Sequence, residues 1–408
     1  MRSLSFFALL TLPFLASAST ISGVVYSDEG VTHATSTVRL VVNGTTAYST
    51  ATDTNGAYTI SIVDPVAGTP ITAYLDNLNG ITGGVVTRFN SGNIPSLDIY
   101  QNELIVRHED VGPLTNADIG LCDSVNGPAC ANPNLHMNVS GGALTVVNDW
   151  RLYLWAGKTF QPGGTVTLEA GAISSGAGGD IKWGSSTSTL SILTNNLSVG
   201  GDWDNTNNGI FASSPNQLTN FTATSTGFSL AGSMNDSNTF QRLSFLGATS
   251  SAWTIQSSLR VSATSTDALV IHSGTVTLGS SPNTNLEVMG GFKVANTVGE
   301  TATFQTTSPA NGSLNYIYEN ATTTPSCANC TISVGASSGA GSGTFKVGKN
   351  IVLELNGKTS DVGLEVESTG YTEILGSLDA SDTVASVVST PTSTTITVSG
   401  FSCFWTGI

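Results

Sequence analysis

The chain has 408 residues, 39% of them hydrophobic and only 10% charged, with a formal net charge of −15. Such a composition excludes a coiled coil or a charged helical bundle, which need far more Glu, Lys, Arg and Leu. Its 13 basic residues are scattered, so no cluster exists to neutralise a run of phosphates, and no nucleic-acid partner is expected.

The first elements form an export signal. Arg2 supplies a positive start, Ser5 to Leu15 is apolar, and Ala16-Ser17-Ala18 fits the small-x-small cleavage rule. Cleavage is expected after Ala18. The apolar run is shorter than the roughly 20 residues of a membrane span. No second apolar run of that length follows, so the mature chain is expected outside the cell or at its surface, without membrane insertion.

From residue 19 to 109 the pattern predicts a compact β-sandwich. Ile21-Ser22-Gly23-Val24-Val25-Tyr26 opens it, and Val38-Arg39-Leu40-Val41-Val42 alternates as a strand. In Thr52-Asp53-Thr54-Asn55-Gly56-Ala57-Tyr58-Thr59-Ile60 the Asp, Asn and Gly predict a tight turn with positive φ. The strand after it then points Tyr58, Ile60 and Ile62 to one face. This pairing of an opening G-x-V strand with a T-D-x-x-G-x-Y hairpin resembles the carboxypeptidase-regulatory-like and Cna-B-like immunoglobulin-like domains. The resemblance implies a non-catalytic stalk or spacer. Arg107-His108-Glu109-Asp110 reads as a solvated linker, and residues 110–138 as a connector carrying Cys122 and Cys130.

Residues 139–300 repeat. Leu144-Thr-Val-Val-Asn-Asp-Trp150, Leu197-Ser-Val-Gly-Gly-Asp-Trp203 and Leu286-Glu-Val-Met-Gly-Gly-Phe292 share L-x-V-x-[NG]-[DG]-[WF], at unequal spacings. Gly164-Thr-Val-Thr-Leu168 returns as Gly274-Thr-Val-Thr-Leu278. Short strands with Gly, Asn and Ser corners and no helical stripe suggest a parallel β-solenoid. Residues 301–349 read as an insertion or irregular coils with Cys327 and Cys330, and 350–408 as further coils. The ordered series resembles the haemagglutinin-like β-strand-repeat surface proteins of bacteria, which implies a right-handed parallel β-helix. The predicted fold class is therefore all-β: an immunoglobulin-like sandwich followed by a right-handed parallel β-helix.

In an exported chain Cys122 with Cys130, and Cys327 with Cys330, are the disulfide candidates. Cys403 has no local partner, and the apolar Phe401–Ile408 lacks a polar cap. A continuation into a longer protein is the expectation.

No catalytic constellation stands out. Asp202-Trp203-Asp204 is the best local acidic cluster, yet Trp203 fills the repeat's core position and the two acids fit a solvated corner. A β-helical hydrolase would need clustered carboxylates for acid/base work. His33, His108, His136 and His272 are isolated in sequence, and no G-x-S-x-G occurs. Tyr153, Trp155 and Trp183 read as core residues rather than sugar platforms. No cofactor is expected; Asp76-Asn77-Leu78-Asn79-Gly80 and Asp202–Asn205 are weak Ca2+ candidates. The expected function is a non-enzymatic structural or adhesive repeat protein that meets surface glycans or other surface proteins. The rivals are a β-helical carbohydrate-active enzyme and a passive matrix component.

Overall fold

A computed structural model of the chain describes residues 18–76, 81–130, 132–147, 149–170, 179–279 and 284–306, and beyond these mainly strand segments. Among the described residues strand predominates and helix is nearly absent, so the class is all-β. Most of the expected export signal lies outside the described residues. Ala18 opens the first described strand opposite Val63, and Ser19 beside it is buried.

Two sheets face each other at the start. In one, Ala18–Tyr26 pairs antiparallel with Ala57–Val63 and parallel with Ile99–Tyr100. In the other, Thr46–Ala51, Thr37–Val42, Pro70–Leu75 and Gly84–Arg88 run antiparallel in that spatial order. Between them lie Ile21, Val25, Val38, Leu40, Tyr58, Ile60, Ile62, Ile71, Val85 and Ile105. The turn at Asn55-Gly56 forms as the sequence predicts. Gly56 has φ +74°, and the Asp53 carboxylate accepts the N–H groups of Asn55 (2.8 Å) and Ala57 (2.9 Å).

The second sheet does not end there. Gly84–Arg88 pairs parallel with Glu103–Val106, and that strand pairs parallel with Arg151–Leu154. The expected solvated linker is therefore corrected. Arg107 is 6% exposed, bound to Glu109 at 2.8 Å, and its guanidinium lies 5.1 Å from the centre of the Trp155 ring. The sheet has two buried faces. Its reverse side carries Val41, Tyr74, Val86, Leu104 and Val106 into a second, longer core. This explains why Pro70–Leu75 is buried at every position and does not alternate.

From Ala143 onward the chain visits three parallel ladders in turn. The first contains Ala143–Val146, Val166–Leu168, Leu197–Val199, Leu218–Phe221, Arg242–Leu246, the start of Leu269–Leu278, and Phe292–Val294. The second continues the sheet of Gly84–Arg88 and Glu103–Val106 through Arg151–Leu154, Ile181–Trp183, Trp203–Asn205, Phe228–Gly232, Ala252–Ile255 and the end of Leu269–Leu278. The third holds Thr159–Phe160, Thr189–Leu193 and Ile210–Ser213, then Leu259–Val261 and Leu286–Val288. Between those two runs a 3-10 turn, Asp236–Asn238, replaces a strand. The buried Asn238 side chain fills the gap: its Oδ1 accepts from Phe211 N–H (2.9 Å) and its Nδ2 donates to Gly209 O (2.9 Å).

Each strand sends alternate residues inward. Trp150 is fully buried beside His136, and Trp183, Trp203, Phe211, Phe221, Phe240, Phe245 and Trp253 are fully buried and meet ring to ring. Two sequence alignments need correction. Leu144 and Leu197 occupy the first ladder, but Leu286 lies in the third. Val166 belongs to the first ladder and Val276 to the second. Within 301–349, Thr301–Thr306, Asn315–Ala321, Thr331–Val334 and Ser342–Val347 continue the three ladders in register, and the stretches between them where an insertion was expected lie largely outside the described residues. Cys327, Cys330 and Cys403 lie outside the described residues.

Residues 110–138 close the first open end of the ladders. Leu114, Ile119, Cys122, Leu135 and Met137 join the long core. The short helix Asn116–Ile119 is held by a capping box between Thr115 and Asp118. Asn116 Nδ2 bonds the carbonyls of Gly142 (2.9 Å) and Thr165 (3.1 Å). Gly44, at φ +67°, lies so close to the Leu121 carbonyl that a Cβ would sit 2.0 Å from that oxygen. The Thr37–Val42/Thr46–Ala51 hairpin thus seats directly on this segment. Cys122 and Cys130 are disulfide-bonded across eight positions. Closing so short a loop is worth about 2–3 kcal/mol. Reduction is expected to lower the unfolding midpoint accordingly, read by thermal unfolding with and without a thiol reductant; an unchanged midpoint would show that the segment holds without the bond.

Candidate functional site

Two outer surfaces collect functional side chains. The first is a charged patch where the N-terminal sheet becomes the second ladder. Glu103 stands opposite Arg151, and Lys182 stands opposite Asp204. Glu29 reaches over from the sandwich loop after Tyr26 and contacts both cations, Lys182 at 2.7 Å. Arg151 also contacts Glu103, and Lys182 is 3.3 Å from Asp204. Beside this row, Asp180 accepts the Asp202 N–H (2.7 Å), and Asp202 accepts the Ser229 N–H (2.6 Å).

Burial dominates the protonation of the patch. It pushes Glu103 up to about 7, although Arg151 pulls the other way. It pushes Asp180 up to about 7, although the Asp202 N–H pulls the other way; the Asp202 charge adds to the rise. Asp202 is raised by burial too. For Asp204 burial is the largest single influence and works upward, but hydrogen bonds from Thr206 and Lys182 outweigh it and hold the carboxyl below its ordinary value.

The acidic triplet read from sequence thus has a fuller setting than a solvated corner. Trp203 is in the core, as its alternation requires, while Asp202 and Asp204 are half-buried on the outer face. Sequence reasoning missed Asp180, which only ladder register brings beside Asp202. An acid/base pair needs carboxyls that meet a substrate. Asp180 is 6% exposed and its oxygen already serves a backbone amide.

The other candidates disperse. Asp76 accepts from Asn132 (3.0 Å) and Asn134 (3.4 Å), and residues 77–80 lie outside the described residues. His136 pairs with Asp149 at 2.6 Å, His272 pairs with Glu300 at 2.6 Å, and His33 packs against Tyr26. Trp183 is buried in the core, whereas Tyr153 and Trp155 pack with Tyr100 at the sandwich junction. Among the described residues no group of three or more His, Cys, Asp or Glu could hold a metal ion. Among them, too, no helix is long and apolar enough to cross a membrane.

The second surface is a groove of about 350 Å³ on the outer face of the first ladder. Its floor is a row of register partners from successive strands: Asn220, Ser244, Val270 and Lys293. Leu218, Arg242 and Asp267 border one side; Leu246 and His272 border the other. Lys293 is bound to Asp267 at 2.5 Å, and Arg242 Nε donates to the Asp267 carbonyl at 3.3 Å. Ser244 is 4% exposed and its Oγ has no hydrogen-bond partner; the Asn220 Oδ1 is likewise buried and unpartnered.

No family model, curated protein or solved structure matches this chain. The groove and the charged patch are therefore read from their own chemistry. Of the two, the groove has the volume and the mixed lining of a small-molecule site. The charged patch has its acids and bases bound to one another.

Proposed function

We propose that the chain is an exported, non-enzymatic surface protein that holds a rigid adhesive rod away from its base. In this reading the three ladders are a parallel β-solenoid, right-handed by the general preference of parallel crossovers, and the first two sheets are an immunoglobulin-like sandwich. The resemblance to haemagglutinin-like β-strand-repeat proteins and the leader-like first 18 residues point the same way. The supporting observation is the shared sheet. Gly84–Arg88, Glu103–Val106 and Arg151–Leu154 form one ladder, so sandwich and coils meet without a hinge. Relative domain motion is the usual expectation for domains joined by a linker; a common sheet with two buried faces opposes it. A stiff stack repeats similar outer faces along one axis, which turns weak single contacts into avid attachment. The surfaces it meets are glycans or neighbouring surface proteins.

The test uses the full exported chain immobilised on beads and presented with an array of acidic and neutral glycans. Retention of glycan-coated particles, with the glycan chains left at their original length, is the expected result. Shortened chains would replace this reading with a carbohydrate-active enzyme, and beads that retain nothing on the array would remove the glycan-adhesive role.

A further inference from the structure

We infer that the groove on the first ladder binds a carboxylate-bearing sugar of an acidic oligosaccharide, with Arg242 taking the carboxylate and Ser244 and Asn220 taking ring hydroxyls. This rests on the adhesive reading above and gives it a ligand class.

Three observations carry it. Ser244 points outward from its strand, opposite Asn220 and Val270, yet it is 4% exposed with an unpartnered hydroxyl. The Asn220 Oδ1 beside it is also buried and unpartnered. Buried polar atoms are almost always hydrogen-bonded, and two adjacent exceptions on the floor of one cavity mark a place where an outside donor and acceptor complete the set. A sugar hydroxyl both donates and accepts, so one hydroxyl near each serves the pair.

Arg242 supplies the charge. Its Nε donates to the Asp267 carbonyl, and among the described residues its terminal nitrogens have no hydrogen-bond partner. The second cation of the groove, Lys293, is already bound by the Asp267 carboxylate. One planar fork remains, which suits one planar carboxylate held by two parallel bonds. Asp267, and Glu300 on His272, stand close by and oppose an anion of higher charge such as a phosphate or a densely sulfated chain. The third observation is apolar. Val270 on the floor, with Leu218 and the 44% exposed Leu246 on the borders, offers hydrocarbon to the C–H face of a pyranose ring.

The floor row follows the stacking direction from Asn220 to Lys293. An extended oligosaccharide lying along it would meet these four side chains in order.

The experiment is equilibrium binding of the full exported chain to two labelled probes, an oligogalacturonate and the same oligomer with its carboxyls reduced to alcohols. The carboxylated probe is expected to bind at least tenfold tighter. Arg242→Gln is expected to weaken it by about tenfold to a hundredfold, the range of a charge-assisted bond, and to bring the two probes level. Ser244→Ala is the folding control. It removes a hydroxyl that has no partner in the free protein, so the thermal midpoint should hold or rise while affinity for both probes falls several-fold. Equal binding of both probes, no binding of either, or unchanged affinity in Arg242→Gln would overturn the inference. A lower midpoint in Ser244→Ala would assign that hydroxyl a structural role and overturn its place in the site. If the groove variants change nothing while particles coated with other glycans are still retained, the groove assignment fails and the adhesive rod stands. If nothing on the array is retained, the rod's glycan-adhesive role fails with it.

Discussion

The Arg151→Met variant is expected to unfold about 2 kcal/mol more readily than the parent chain at pH 8, where Glu103 is mostly ionised. Arg151 opens the strand that first continues the N-terminal sheet into the second ladder, and its guanidinium contacts both Glu103 and Glu29. Glu103 is 2% exposed. Removing its partner leaves a buried carboxylate, which is far costlier than losing a surface ion pair. Methionine keeps much of the apolar stem, so the loss reports on the charge rather than on packing. The escape open to Glu103 is protonation, and burial already pushes it up to about 7. The defect should therefore be smaller at pH 5 than at pH 8. Urea unfolding at the two pH values measures it, and adding Glu103→Gln should restore most of the loss. A single variant within about 1 kcal/mol of the parent would show that the patch does not hold the two parts together.

What could be read in advance follows from the range of the information. Local patterns were legible. The Asp53–Gly56 turn and the alternation of Tyr58, Ile60 and Ile62 depend on neighbours in sequence, and all three side chains lie in the core between the first two sheets. Leu144, Val146, Leu197 and Val199 face inward for the same reason. Which ladder a strand joins was not legible. L-x-V followed by a Gly corner and an aromatic describes any strand, corner and next strand, and three faces share that grammar. Leu286-Glu-Val288 therefore fell on the third ladder while its look-alikes fell on the first. The shared sheet was hidden because Pro70–Leu75 is covered on both sides, and periodicity cannot say what covers a strand. The groove was hidden most completely. Asn220, Ser244 and Lys293 are ordinary outward polar residues on the first ladder, with Val270 between the last two, and only parallel register puts them in one row. Glu29 likewise joins Arg151 across more than a hundred residues of chain. The one usable sign was chemical: Arg242 and Lys293 belong to a sparse set of 13 basic residues in a chain of charge −15.

Stability is expected to fall as pH rises from about 4 to 7, and Asp180→Asn is expected to abolish much of that fall. Asp180 lies beside Asp202 and near Arg151 and Asp204, and burial, with the Asp202 charge adding, pushes it from 3.8 up to about 7. The native state therefore holds a proton that the unfolded chain releases near pH 4. A group raised in this way contributes its full stabilisation below its unfolded value and has lost it once the pH passes its folded value. A shift of this size corresponds to something on the order of 4 kcal/mol. Glu103 acts in the same direction over 4.5 to about 7. Asp204 opposes them, because a lowered carboxyl stabilises above its ordinary range and loses that contribution on acidification. Asparagine at 180 keeps an oxygen to accept the Asp202 N–H without carrying a charge. The variant should match the parent near pH 4 and exceed it by about 2–4 kcal/mol at pH 8. Denaturant unfolding at pH 4, 6 and 8 decides the matter: a parent chain that grows more stable from pH 5 to 8 would mean that Asp180 is ionised in the fold, and that its burial is compensated by a donor other than its own proton.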